Sequence, residues 1–90
     1  MCSPPIPDLA SLEERILAAI RERILEVPAG FNAGSDLYAA GLDSMALMQL
    51  VLLLEEGFGV VVPDSDICRA NFQSVRQLAH LVRERLTLVA

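Results

Sequence analysis

The sequence is poor in several residue types, and each shortage excludes a class of protein. Its 90 residues include no lysine, no tryptophan, one histidine (His80) and two cysteines (Cys2 and Cys68). So few ligating and thiol groups do not make a zinc site or a disulfide framework, and we expect reduced thiols and no bound metal. No apolar run reaches the roughly 20 residues of a membrane-spanning helix. Because residues 1–7 also lack the pattern of a secretory signal, we expect a cytoplasmic protein without a membrane span.

Positive charge and aromatic residues are scarce too. Seven arginines stand against twelve acidic residues, so the net charge is −5 at pH 7, which disfavours binding to the phosphate backbone of nucleic acids. Aromatic residues make up 4% of the chain although 53% of it is hydrophobic, a profile typical of helical cores built from Leu, Val, Ile and Ala. The length allows one domain. We therefore expect a monomer with a single all-α domain that binds no nucleic acid.

An amphipathic helix is predicted over residues 12–26. Ser11, followed by Glu14 three residues later, has the spacing of a capping box at the start of this helix, and Pro28 stops it. The connection that follows, residues 28–43, is longer than most loops in compact domains. Its apolar residues predict that it packs onto the core, and they are Phe31, Leu37, Tyr38 and Leu42.

The second predicted helix has apolar residues on two opposite faces. It begins after an N-cap at Asp43 or Ser44, and Gly57 marks its end. At about 100° per residue, the predicted inner face consists of Leu47, Leu50, Val51, Leu54 and Phe58. The opposite face consists of Met45, Met48, Gln49 and Leu52, with Glu55 and Glu56. A small bundle buries one face of a helix, so the second face stays exposed or meets a partner, which can be another protein or a second copy of the chain.

The last third of the chain predicts a packed extended segment at 60–63, a short third helix at 64–69, and a final helix that opens at Ser74. The expected architecture is thus a small four-helix bundle, with three main helices and the short third one. The predicted organisation is a flexible N-terminal tail (1–8), a folded domain (9–86) and a C-terminal tail (87–90).

The stretch Gly41-Leu42-Asp43-Ser44 places a hydroxyl group at the start of the second helix. Gly41 can adopt a positive φ and so allow a sharp turn into the helix. Ser44 then lies where free backbone N–H groups and the helix dipole favour an anion such as a phosphate ester. An ordinary Asp or Ser helix cap is the simpler interpretation of these residues taken by themselves.

The order of elements along the whole chain resembles that of the acyl carrier protein family, over about residues 9–86. The shared features are a helix, a long anchored loop, an Asp-Ser pair at a helix start, an apolar helix, a short turn and a final helix. The resemblance implies a non-catalytic carrier in which Ser44 bears a covalent 4′-phosphopantetheine arm and Asp43 is its motif neighbour. It also implies a phosphopantetheinyl transferase as partner, which uses coenzyme A and Mg²⁺.

Three stretches are similar to stand-alone aminoacyl carrier proteins, namely residues 36–42 (Asp-Leu-Tyr-Ala-Ala-Gly-Leu), the Gln49-Leu50 pair and residues 63–74. The Arg69 to Phe72 stretch is also similar to D-alanyl carrier proteins. This implies loading of an amino acid as a thioester by an amino acid:carrier protein ligase that resembles a truncated class II aminoacyl-tRNA synthetase, with an unknown downstream acceptor. Fatty-acid carriers usually have acidic residues where this chain has Ala46 and Gln49, yet a carrier of fatty-acid or polyketide-type chains is the alternative. The docking residues implied are Met45, Met48, Gln49, Leu52, Arg69 and Phe72.

Two other classes of function are alternatives to a carrier protein. A serine hydrolase needs Gly-x-Ser-x-Gly on a strand-to-helix turn, with His and acidic partners. Leu42 and Ala46 stand at the two glycine positions here, no strand precedes Ser44, and the chain is too short for that fold. The more distant alternative is a non-enzymatic helical interaction module, in which Ser44 is only a cap and the apolar outer face binds a partner.

Overall fold

The computed structural model describes the backbone of residues 8–89 and the side chains of residues 8–86, and the regular secondary structure in that range is all helical. The three α-helices are α1 (Leu9–Ala19), α2 (Ser44–Phe58) and α3 (Val75–Val89). A π-helical turn, Ile20–Ile24, continues α1, and a 3₁₀ turn, Asp64–Asp66, lies between α2 and α3. No strand occurs within residues 8–89, which confirms the all-α prediction. No helix in that range has the length and hydrophobicity needed to cross a lipid bilayer.

The core lies where the inner faces of the three helices meet, with α1 packed along α3. Each helix contributes fully or almost fully buried aliphatic side chains at helical spacing, and burial of one such side chain stabilises the fold by about 1.5–3 kcal/mol. These side chains are Leu12, Ile16 and Ile20 from α1 and its π turn, Leu50, Val51 and Leu54 from α2, and Val75, Leu78 and Val82 from α3.

The first helix begins earlier and ends differently from the prediction. Asp8, not Ser11, is its N-cap, since the Asp8 carboxylate accepts a 2.8 Å hydrogen bond from the Ser11 N–H. The helix widens into the π turn after Ala19, and this turn closes when the Leu25 N–H donates to the Ile20 carbonyl at 3.0 Å. Leu25 is already extended (φ −138°, ψ 145°), so the predicted end at residue 26 is slightly late.

Three further boundaries differ from the sequence-based ones. Helix α2 ends at Phe58, because Gly59 rather than Gly57 adopts the left-handed conformation (φ 68°) that terminates it. The predicted third helix at 64–69 is reduced to the single 3₁₀ turn. Helix α3 runs through Val89, so residues 87–89 of the predicted C-terminal tail are helical. Of the predicted N-terminal tail, Asp8 is a helix cap, and residues 1–7, with Cys2, lie outside the described residues.

Both long connections are packed, as the sequence predicts. In the first connection, Phe31, Leu37 and Leu42 are buried, and Leu37 is fully so. Two backbone hydrogen bonds attach it to the start of α3, from the Leu37 N–H to the Gln73 carbonyl (2.7 Å) and from the Arg76 N–H to the Ala33 carbonyl (2.9 Å). The segment after α2 is extended, with Val60 and Val62 buried and Val61 exposed.

Candidate functional site

The residues that lead into α2 form a hydrogen-bonded turn. The Asp36 carboxylate accepts the Tyr38 N–H at 2.9 Å, and the Leu42 N–H donates to the Leu37 carbonyl at 3.0 Å. Leu37 and Leu42 fix the two ends of this turn because both side chains are buried in the core. The chain therefore reaches the start of α2 along a fixed path.

Gly41 provides the bend that the sequence predicts at this point. Its φ is 112°, a value that residues with a Cβ rarely adopt. No heavy atom lies within 4 Å of the position that a Cβ would take, so the need for glycine comes from the backbone and not from crowding.

Asp43 is the N-cap of α2. Its carboxylate accepts the Ala46 N–H at 2.8 Å, and its carbonyl accepts the Leu47 N–H at the same distance. Asp43 thus takes a backbone N–H that the sequence analysis left free for an anion on Ser44. The predicted anion position is partly filled by the protein itself, and a phosphate ester on Ser44 would lie beside the Asp43 carboxylate.

Ser44 is the first residue of α2 and is exposed. Because Asp43 supplies the cap, the Ser44 hydroxyl is not needed to start the helix. A primary alcohol that projects from a fixed backbone into solvent can accept a phosphodiester-linked group. The residues present at this position therefore fit the covalent attachment that the resemblance implies.

The two faces of α2 differ as predicted. Leu50 and Leu54 are fully buried, whereas Met45, Met48 and Leu52 are 73%, 54% and 53% exposed. Gln49 is exposed between them. We call Met45, Met48, Gln49 and Leu52 the outer face of α2. None of these four side chains is charged. Of the two glutamates predicted on the same face, Glu56 is exposed, whereas Glu55 is half-buried and its carboxylate accepts the Val62 N–H at 2.9 Å.

A groove runs along one edge of the outer face, between α2 and the π turn. Arg23 and Ile24 line it from the π turn, and the α2 residues that line it are Gln49, Leu52, Leu53 and Glu56. Sequence reasoning did not predict this groove. The four-residue spacing from Ile20 to Ile24 is that of an ordinary α-helix, so no sequence signal marks the π turn that shapes it.

The two predicted docking residues outside α2 have different environments. Phe72 is fully buried, so its prediction as a docking residue is wrong: a benzyl side chain gains more from burial in the core than from a solvent-facing position. Arg69 is exposed, but its guanidinium lies 4.5 Å from the centroid of the Tyr38 ring. Phe72 thus anchors the segment between the 3₁₀ turn and α3 in the core, and Arg69 alone of the two is accessible.

Comparison with known proteins identifies, over most of the chain, the family that the sequence resembles. Residues 14–82 match the family model described as the phosphopantetheine attachment site. The aminoacyl carrier protein of Agrobacterium fabrum is 43% identical over 49 residues, which are 54% of this chain and 59% of that relative. Aminoacyl carrier protein 2 of Bradyrhizobium diazoefficiens is 27% identical over 78 residues, covering 84% of this chain and 88% of that relative. The first alignment thus spans little more than half of the relative's length.

Solved structures share the fold. An acyl carrier protein from Thermotoga maritima superposes with a TM-score of 0.68 at 21% identity, covering 91% of this chain and 94% of that one. A chain from the crystal structure of an engineered Bradyrhizobium japonicum glycine:[carrier protein] ligase, complexed with a carrier protein from Agrobacterium tumefaciens and ATP, gives a TM-score of 0.63. Its identity is 32%, and the match covers 90% of this chain and 99% of that one.

The family model covers well over half of the chain, and it matches the segment in which Asp43 and Ser44 begin α2. The relatives are named as carriers and not as catalysts. The chain therefore belongs to the phosphopantetheine attachment site family, that of the acyl carrier proteins, and is a carrier protein rather than an enzyme.

Proposed function

We propose that this protein carries an activated amino acid on a 4′-phosphopantetheine group attached to Ser44. The observation that carries the proposal is an exposed serine hydroxyl on the first residue of α2, reached through the positive-φ bend at Gly41, in a member of this family. When bound, the group supplies a thiol on which the amino acid is held as a thioester. The protein presents this group and performs no chemistry of its own.

Asp43 prepares the attachment position in two ways. It satisfies the Ala46 N–H, which holds the first turn of α2 in place while the Ser44 hydroxyl stays available. Its carboxylate also adds negative charge beside the incoming phosphate, and a divalent cation reduces such repulsion. This charge supports a partner transferase that brings coenzyme A together with Mg²⁺.

An amino acid is the cargo that the comparisons favour. Both curated relatives are named aminoacyl carrier proteins, and a matched structure contains a glycine:[carrier protein] ligase together with a carrier protein. By this similarity, an amino acid:carrier protein ligase that uses ATP is the loading partner we propose here. The ligase would transfer the activated amino acid to the thiol of the phosphopantetheine group, and a further enzyme would then accept it.

The residues of α2 also favour an aminoacyl carrier over a fatty-acid carrier. Ala46 is buried against the core, so the position where fatty-acid carriers usually have an acidic residue faces inward here. Gln49 is exposed but uncharged. Electrostatic docking needs complementary charges on the two surfaces. We propose that Met45, Met48, Gln49 and Leu52 form the docking surface and that partners meet it mainly through apolar contacts.

Sequential loading tests this function. The chain is coexpressed with a broad-specificity phosphopantetheinyl transferase, and the modified protein is then incubated with candidate amino acid:carrier protein ligases, ATP and single amino acids. We expect a covalent aminoacyl adduct that hydroxylamine removes, and none on Ser44→Ala. Efficient acylation by fatty-acid enzymes, with no amino acid loaded by any ligase, would favour the fatty-acid alternative. A chain that accepts no prosthetic group would leave the interaction module as the explanation.

A further inference from the structure

The two long connections of the fold meet beside the turn that leads into α2. The first connection contributes the turn at residues 36–42, and the second contributes residues 67–73. The 2.7 Å hydrogen bond from the Leu37 N–H to the Gln73 carbonyl joins them. The second connection is itself anchored, because Phe72 is fully buried and the Asn71 side-chain amide donates to the Asp66 carbonyl at 2.9 Å.

Arg69 makes a second link between the same two connections. Its carbonyl accepts the Phe72 N–H at 3.2 Å, so its backbone is held next to the buried ring of Phe72. Its guanidinium lies 4.5 Å from the centroid of the half-buried Tyr38 ring, well within the distance at which a cation is attracted to an aromatic face. The anchored connection therefore reaches across to Tyr38 through one side chain.

Tyr38 is the residue of the turn that is hydrogen-bonded to Gly41. Its carbonyl accepts the Gly41 N–H at 3.2 Å, and its N–H donates to the Asp36 carboxylate at 2.9 Å. Gly41 in turn sets the direction in which the chain reaches Asp43 and Ser44. A continuous set of contacts thus runs from Arg69 through Tyr38 and Gly41 to the start of α2.

We propose that Arg69 is a positioning residue, which acts through Tyr38 to hold the turn before α2 and so fixes the orientation of the Ser44 hydroxyl for arm transfer. The proposal rests on the proposed function at Ser44. It differs from direct docking, in which the Arg69 guanidinium binds an acidic group of a partner. Direct docking acts on partner binding and so on KM, whereas a positioning role acts on kcat and requires both side chains.

A double-mutant cycle separates the two roles. The variants Arg69→Ala, Tyr38→Leu and the double variant are compared with the wild type as acceptors of phosphopantetheine from coenzyme A, with kcat and KM measured separately. We expect each single variant to lower kcat/KM by about two- to fivefold, which matches the strength of an exposed cation–π contact. We expect the loss to appear mainly in kcat, and the double variant to be no slower than the slower single one.

Conservative and matched variants complete the test. Tyr38→Phe keeps the aromatic face and Arg69→Lys keeps the cation, so both should retain most of the wild-type rate. Arg76→Ala removes the same charge from α3, where the Arg76 side chain makes a long 3.6 Å ion pair with Glu13 and the backbone bond to Ala33 is retained, and should leave the rate unchanged. In ¹⁵N-labelled protein without the arm, Arg69→Ala and Tyr38→Leu should shift the Gly41 and Ser44 amide signals in the same way.

Several outcomes would contradict the positioning role of Arg69 or the proposed function at Ser44. Additive losses in the cycle, or a loss confined to KM in Arg69→Ala alone, would overturn the positioning role and favour direct docking. Unchanged Gly41 and Ser44 amide signals in both single variants would overturn it too. If the wild type accepts no arm at Ser44, the proposed function is wrong, and the amide signals alone then decide whether Arg69 positions this turn.

Discussion

Two substitutions on opposite faces of α2 should separate stability from function. Leu54 is fully buried, so Leu54→Ala removes core contacts and leaves a cavity, which costs about 2–5 kcal/mol of unfolding free energy. At about 4–8 °C per kcal/mol for a domain of this size, the thermal midpoint should fall by at least about 8 °C. Met48 is 54% exposed, and substitutions at such positions usually change stability by less than about 0.5 kcal/mol.

Met48→Glu should instead impair the reactions with partners. If the outer face of α2 docks through apolar contacts, a carboxylate at position 48 is buried against the partner without a counter-charge. Burial of an unpaired polar group costs at least about 1–3 kcal/mol, so kcat/KM for aminoacyl loading should fall about fivefold or more. Met48→Leu keeps the apolar contact and is the matched control. Gln49→Glu, which approaches the acidic pattern of fatty-acid carriers, should do less harm.

The assay combines thermal unfolding followed by helical circular dichroism with loading kinetics on the same protein preparations. Leu54→Ala should lower the midpoint, and Met48→Glu should lower the loading rate at an unchanged midpoint. Unfolding of Met48→Glu would refute the face assignment. Wild-type rates for Met48→Glu in every partner reaction would refute the docking surface while leaving the fold intact.

Three further predictions concern backbone and caps. Gly41→Ala should lower the free energy of unfolding by about 1–3 kcal/mol in chemical denaturation, since alanine is strained at a φ of 112°; equal stability would contradict the bend. Asp43→Ala should cost about 0.5–2 kcal/mol, whereas Asp43→Asn should keep most of the cap; equal losses for both would show that charge rather than capping matters. The Ser11 N–H donates to Asp8 and lowers the pKa of its carboxyl below the ordinary 3.8, so its stabilising effect is complete above that pH and is lost as the pH falls through the lower folded value. Acid unfolding of Asp8→Asn should lack this component, and an unchanged acid transition would contradict it.

The fold and the exposed position of Ser44 at the start of α2 could be predicted from the sequence because their signals are local. Period-3.6 spacing identified the inner face of α2, and the Gly41 to Ser44 stretch carries its own turn and cap chemistry. The start of α1 was misplaced because Asp8 and Ser11 are both good caps, and the sequence does not show which one meets a free N–H. Gly57 and Gly59 posed the same problem at the end of α2, where Gly59 is the residue that adopts the left-handed conformation.

The features that local patterns missed depend on contacts between distant segments. Phe72 looks like an accessible motif residue in sequence, and only the packing of the second connection shows that its ring belongs to the core. The contact between Arg69 and Tyr38 joins residues from two different connections. The π turn after α1 also leaves no periodic signal, so the groove beside the outer face of α2 had to come from the structure.

The most direct test of the account is the location of the prosthetic group. The chain has no lysine and no arginine between Arg23 and Arg69, so trypsin leaves Ser35, Ser44 and Ser65 on one peptide, and fragmentation mass spectrometry of that peptide must distinguish them. After coexpression with a phosphopantetheinyl transferase, we predict one phosphopantetheine per chain, on Ser44. Ser44→Ala should remain folded and unmodified. Modification of another serine, or of none with several transferases, would contradict the account.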